Sequence, residues 1–139
     1  MPSRLNSLEL HGFKTFANRT FFEFAETITA IVGPNGSGKS NVADSLRWVL
    51  GEQSYSLLRA RKTEDMIYSG SENRPRLGMA SATVTFDNSD SRLPVDFAEV
   101  QATRRLYRSG ESEYLINKAA CRLRDVQELF MDTGIGTNA

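Results

Sequence analysis

"GPNGSGKSN", residues 33–41, decides the reading of this chain. Three glycines, a proline, a lysine and two serines crowd into nine positions between an apolar run and a helical pattern. Glycine weakens both strands and helices, so this composition suits a backbone shape that regular elements do not offer. The stretch fits Gly-x-x-x-x-Gly-Lys-[Ser/Thr], with Gly33, Gly38, Lys39 and Ser40 in the fixed places. Upstream, "ITAIV" (28–32) is a short apolar run suited to a sheet interior. Downstream, Val42, Leu46, Val49 and Leu50 recur at helical spacing, and Gly51 supplies a stop. Strand, glycine loop and helix in that order form a phosphate-binding loop. Its inward N–H groups make a nest for phosphate oxygens, to which the helix adds its positive end. Lys39 is placed to reach the β- and γ-phosphates, and the Ser40 hydroxyl to ligate Mg²⁺.

Outward from the loop, the chain reads as strands before it and, after its helix, as further strands closed by a second helix. Leu5–Leu10 and "TFFEF" (20–24) read as strands, as does the stretch around Val84 and Phe86, where apolar residues alternate with threonines. Residues 100–108, the turn "SGES" and residues 113–116 read as a hairpin. Leu123, Val126, Leu129 and Phe130 mark an amphipathic helix before "DTGIG". The expected fold is α/β, a sheet carrying a β-hairpin beside the phosphate-loop helix. There is no internal repeat, and the 139 residues amount to one domain.

Composition restrains the functional classes. Lys+Arg and Asp+Glu both number 17, so net charge gives no support to a nucleic-acid or membrane partner and leaves only local patches. Cys121 is the single cysteine and cannot form an internal disulfide, which fits a reducing compartment. No apolar run approaches the ~20 residues of a membrane span. His11 has no second ligand at metal-site spacing, and Cys121 has no neighbouring histidine base. Arg104, Arg105 and Arg108 read as the polar face of a strand, and Trp48 as core.

The phosphate chemistry is harder to complete. A guanine-reading Asn-Lys-x-Asp is not satisfied by "NKAA" (117–120), which ends on alanine. An ATPase needs a second acid at the end of a buried strand. Asp87 follows an alternating, half-exposed segment and Asp132 a helical one, so neither fits. The second acid of an ATPase is missing from these residues, and a P-loop kinase and a nucleotide-binding module without turnover remain open.

The run from Gly33 to Ser54, "GPNGSGKSNVADSLRWVLGEQS", resembles the N-terminal head segment of the structural maintenance of chromosomes (SMC) proteins, particularly their prokaryotic branch. "LELHGFKTFA", "LLRARKTEDMIYSG", "VTFDNSD", "TRRLYRSGESEYLIN" and "CRLRDVQELFMDTGIG" carry the likeness along essentially the whole chain. The resemblance implies that residues 1–139 are the N-terminal lobe of an ABC-type ATPase head with a mixed sheet. The C-terminal lobe, with the signature motif and second acid, would lie beyond a coiled coil and hinge. The family's water-orienting glutamine would follow "DTGIG", and "TNA" would be an internal boundary. Turnover is then expected of the full protein and not of this segment.

The same resemblance implies site residues. Gly33, Pro34, Asn35, Gly36, Ser37, Gly38, Lys39, Ser40 and Asn41 would hold ATP, with Mg²⁺ on Ser40. Lys14, Thr15 and Phe16 match a stretch near the nucleotide, with threonine in place of the commoner serine. Arg59 would join Lys39 in the catalytic set and couple the nucleotide state to DNA, while Lys62, Arg122 and Arg124 would face DNA. Implied partners are the C-terminal lobe, a second head in a homodimer, kleisin-type subunits and DNA without sequence preference. The implied role is chromosome organisation, condensation and segregation in the cytoplasm, at the nucleoid. A related DNA-repair ATPase with a divided head is the runner-up, although "LRWVLGEQS" looks closer to SMC.

Overall fold

The computed structural model describes residues 4–14, 16–23, 37–51, 66–70, 77–89 and 95–131. Eight elements run in the order β1 (Arg4–His11), β2 (Thr20–Glu23), α1 (Ser37–Val49), β3 (Met79–Asp87), β4 (Glu99–Tyr107), β5 (Ser112–Ile116), β6 (Ala119–Cys121) and α2 (Leu123–Met131). The six strands form one sheet in the order β2-β1-β3-β4-β5-β6. Every pairing among the described residues is antiparallel. The expected strand at residues 28–32 lies outside the described residues.

Register explains why the alternation in the sequence becomes a two-faced sheet. Leu8, Val84, Ala102 and Ile116 are successive cross-strand partners, so a row of apolar side chains crosses four strands on one face. The adjacent row on the other face is Glu9, Thr83, Thr103 and Leu115. Period-two alternation makes this division automatic once the register is set. Helix α1 covers the apolar face across β3 and β4, and α2 packs on β5. Val42, Leu46 and Val49 of α1 are buried there, as the 3.6-residue period requires. Val126, Leu129 and Phe130 of α2 close the other end, with the Phe130 ring 5.3 Å from that of Phe86.

Two turns finish the sheet. The first hairpin closes as "SGES" predicts, with Gly110 at φ +97°. The second, between β5 and β6, was not legible. Asn117 and Lys118 both adopt positive φ (49° and 70°), the two-residue turn whose twist matches antiparallel strands. The Asn117 side chain also accepts a bond from the Gln101 N–H, so "NKAA" serves a turn.

On the outer face, Thr83 and Thr103 share a hydroxyl hydrogen bond of 3.0 Å, and Glu113 accepts from the Tyr107 hydroxyl at 2.8 Å. That bond holds the Tyr107 phenol above its ordinary value of 10.0, with desolvation and the Glu113 charge adding to it. It also holds the Glu113 carboxyl below its ordinary range, with help from Arg105. The signs bracket a window. The raised phenol favours the fold below its ordinary pKa and loses that effect as pH rises through the raised value. The lowered carboxyl favours the fold above its ordinary pKa and loses it as pH falls through the lowered value. We expect Glu113→Gln to bring the Tyr107 titration back toward its ordinary value, followed by ring-carbon NMR shifts from about pH 8 to 12. An unchanged titration would mean that the hydrogen bond does not persist in solution.

Candidate nucleotide site

Helix α1 begins at Ser37, inside the glycine motif. Ser37, Gly38, Lys39, Ser40 and Asn41 therefore occupy its first turns, where backbone N–H groups have no intrahelical acceptor. That first turn carries no acidic residue of its own to oppose an anion at the positive end of the helix. The side chains of residues 37–41, and Gly33, Pro34, Asn35 and Gly36 altogether, lie outside the described residues.

Lys14 is carried by a tight turn after β1 and has φ +50°, uncommon for a residue with a Cβ. Its ammonium lies 2.8 Å from Asp44 Oδ2 on α1, and the Asp44 side chain is 1% exposed. Arg47 Nη1 stands 3.7 Å from the other carboxylate oxygen, so two cations flank one buried acid. Phe16 is half-buried, with its ring edge-on to Phe22 at 5.8 Å. Thr15 lies outside the described residues.

The far end of α1 holds a residue that sequence reading misplaced. Arg104 was expected on the polar face of its strand. It is instead buried, in one cross-strand row with Leu10, Ala82 and Tyr114. Its Nη1 donates to the Trp48 carbonyl at 2.8 Å, at the negative end of α1. The guanidinium also lies 4.9 Å from the Trp48 ring and 5.1 Å from the Tyr114 ring. Parity held the signal: Val100, Ala102, Arg104 and Leu106 share one strand face. Arg108 likewise works structurally, donating to the Leu77 and Tyr68 carbonyls. Arg105 alone of the three follows the expectation, pairing with Glu113 across the outer face.

Arg122 and Arg124 are exposed at the start of α2. Asp125 accepts a bond from the Arg122 N–H and so caps the helix beneath them. Arg59 and Lys62 lie outside the described residues. Asp87 takes the N–H of Ser89 in the turn that leaves β3, and Asp132 lies outside the described residues. His11 sits half-buried on β1, and no metal-binding cluster of His, Cys, Asp or Glu occurs among the described residues. Cys121 is half-buried, and burial, with Asp125 adding, pushes its thiol pKa up, away from a nucleophile's thiolate. Among the described residues no helix is long and apolar enough to cross a membrane.

Comparison with known proteins gives this geometry a family. Over 135 residues, 97% of this chain, it is 57% identical to the chromosome partition protein Smc of Bacillus subtilis (strain 168). The match covers 11% of that protein, so the chain spans about a tenth of the length of such relatives. A structure from work on ATP-driven dimerization and DNA stimulated activation of SMC ATPases superposes with a TM-score of 0.90. Its identity is 36%, over 98% of this chain and 84% of that one. An Smc head bound to the C-winged helix domain of ScpA aligns at TM-score 0.85 and 34% identity, over 95% of this chain and 41% of that one. The RecF/RecN/SMC N-terminal domain matches residues 4–139, and the chain belongs to that family as the N-terminal lobe of an SMC head.

Proposed function

We propose that this lobe holds ATP for an SMC head, in which head engagement around the nucleotide drives hydrolysis and is coupled to DNA. The observation that carries the reading is the start of α1 at Ser37, within the phosphate motif. Gly33 to Asn41 surround the triphosphate, Lys39 supplies the cation, and the Ser40 hydroxyl takes Mg²⁺. Lys14, Thr15 and Phe16 flank the nucleotide, and Arg59 reaches it from the loop after α1. Bound Mg²⁺ would neutralise charge that builds on the phosphates. The active site is completed by the C-terminal lobe of the same protein and by a second head, with a kleisin-type subunit and DNA as further partners. The dimerizing, DNA-activated SMC ATPases and the ScpA-bound head named above support this reading. A kinase or a DNA-repair ATPase finds no comparable support.

The DNA surface is the testable part. Lys62, Arg122 and Arg124 act on phosphates, which suits sequence-independent binding. Exposure of Arg122 and Arg124 agrees with that role. Changing all three to glutamate in the complete protein should weaken DNA binding by ATP-engaged heads and remove DNA stimulation, while ATP binding persists. The parent's affinity should fall with salt at about 0.9 logarithmic units per phosphate neutralised. Equal affinity of parent and variant across a salt titration would reduce these cations to solvated surface.

A further inference from the structure

The turn at Gly12–Lys14 grips two parts of the molecule at once. Towards α1, the Lys14 ammonium meets Asp44 at 2.8 Å, and the fully buried Phe13 ring lies 5.1 Å from the Trp48 ring. Asp44 and Trp48 are one helical turn apart and so share a face of α1. Away from α1, the Lys14 N–H donates to the Met66 carbonyl at 2.8 Å, and the Tyr68 N–H donates to the Gly12 carbonyl at 2.7 Å. Phe13 also forms a strand-like bridge to Ile67. Arg108 holds the same segment from its other side, with Nη2 3.0 Å from the Tyr68 carbonyl and Nε 2.8 Å from that of Leu77. Lys14 keeps an uncommon backbone conformation between these contacts, as residues do where their surroundings over-determine them.

Two tightly bonded sides leave the turn little room to absorb a shift. A displacement of α1 must move Met66–Tyr68, the segment into which the chain runs from Arg59 and Lys62. Resting on the function proposed above, we propose that the Gly12–Lys14 turn is a positioning link between the phosphate-loop helix and the base of the DNA-responsive loop. Asp44 is the residue through which the helix holds it. Asp44 contacts neither nucleotide nor DNA in this account. It sets how strongly one reports on the other.

The test uses the complete protein, Mg-ATP and linear duplex DNA of mixed sequence. Asp44→Asn keeps the side-chain shape and removes the charge. It should leave Mg-ATP affinity and basal turnover within about threefold of the parent and cut DNA stimulation about fivefold or more, the usual floor for a coupling between sites. The gain in DNA affinity that ATP confers and the gain in ATP affinity that DNA confers should shrink as well, and by one common factor, since binding couplings are reciprocal. Asp44→Glu should restore part of the stimulation, which a packing defect would not show. Arg108→Gln loosens the far side of the link without touching α1 or its ion pair, and should reproduce the loss of stimulation at an unchanged Mg-ATP affinity. If Asp44→Asn does not fold, Arg108→Gln decides. Parent-like stimulation in folded variants overturns the link and leaves the proposed function standing. A parent that neither binds ATP nor responds to DNA overturns both.

Discussion

Replacing Lys39 by alanine in the complete protein is expected to lower Mg-ATP affinity by two powers of ten or more. Lys39 is the one cation within the motif and lies in the opening turns of α1, where backbone N–H groups have no intrahelical acceptor. Its ammonium would serve both the β- and γ-phosphates, and a hydrogen bond to a charged group contributes about 1.5–3 kcal/mol. Two such bonds come to about 3–6 kcal/mol, and each 1.4 kcal/mol is about tenfold in affinity. The fold should not change, since alanine is the best helix former and the substitution sits at a helix start. Titration calorimetry on parent and variant reads the effect directly. An affinity within about threefold of the parent would remove Lys39 from the site, since 1.4 kcal/mol already corresponds to tenfold. A preference for GTP over ATP would overturn the nucleotide assignment by a separate route.

How far the fold could be read from the sequence depended on whether the signal was local. β1, β3 and β4 alternate along their own length, and α1 and α2 carry apolar residues at helical spacing, so all five were legible. β6 was not. It has three residues, two of them alanine, and exists through an Asn117–Lys118 turn that uses positive φ without a glycine. The site divided in the same way. The phosphate motif is contiguous and announces itself, whereas the Lys14–Asp44 pair spans thirty residues and forms only when β1 is laid beside α1. The charge of Arg104 points to the polar face and its parity to the apolar one, and parity prevails. A guanidinium can enter an apolar face when aromatic rings and a helix-end carbonyl receive it.

Those receivers make Trp48 the residue whose loss should cost most in stability. It is 2% exposed, and its ring meets Phe13 on one side and the Arg104 guanidinium on another. Trp48→Ala opens a cavity under the turn that holds Lys14 and strips Arg104 of one of its two aromatic faces. Truncating a buried aromatic residue to alanine costs about 3–5 kcal/mol. Folded domains have only about 5–15 kcal/mol in total, so the head should unfold at a much lower denaturant concentration. Trp48→Phe retains a ring and should cost less than half as much. The hydrogen bond from Arg104 uses the Trp48 backbone carbonyl and is available to either variant, so the comparison isolates the ring. Arg104→Met should then be less harmful in the Trp48→Ala background than in the parent, since part of what the guanidinium touches is already gone. Residues in direct contact couple by about 0.5–3 kcal/mol in such cycles. Strict additivity of the two substitutions in denaturant unfolding would mean that the indole and the guanidinium are neighbours without being partners. Arg104 would then serve the C-terminal end of α1 through its bond to the Trp48 carbonyl rather than through the indole.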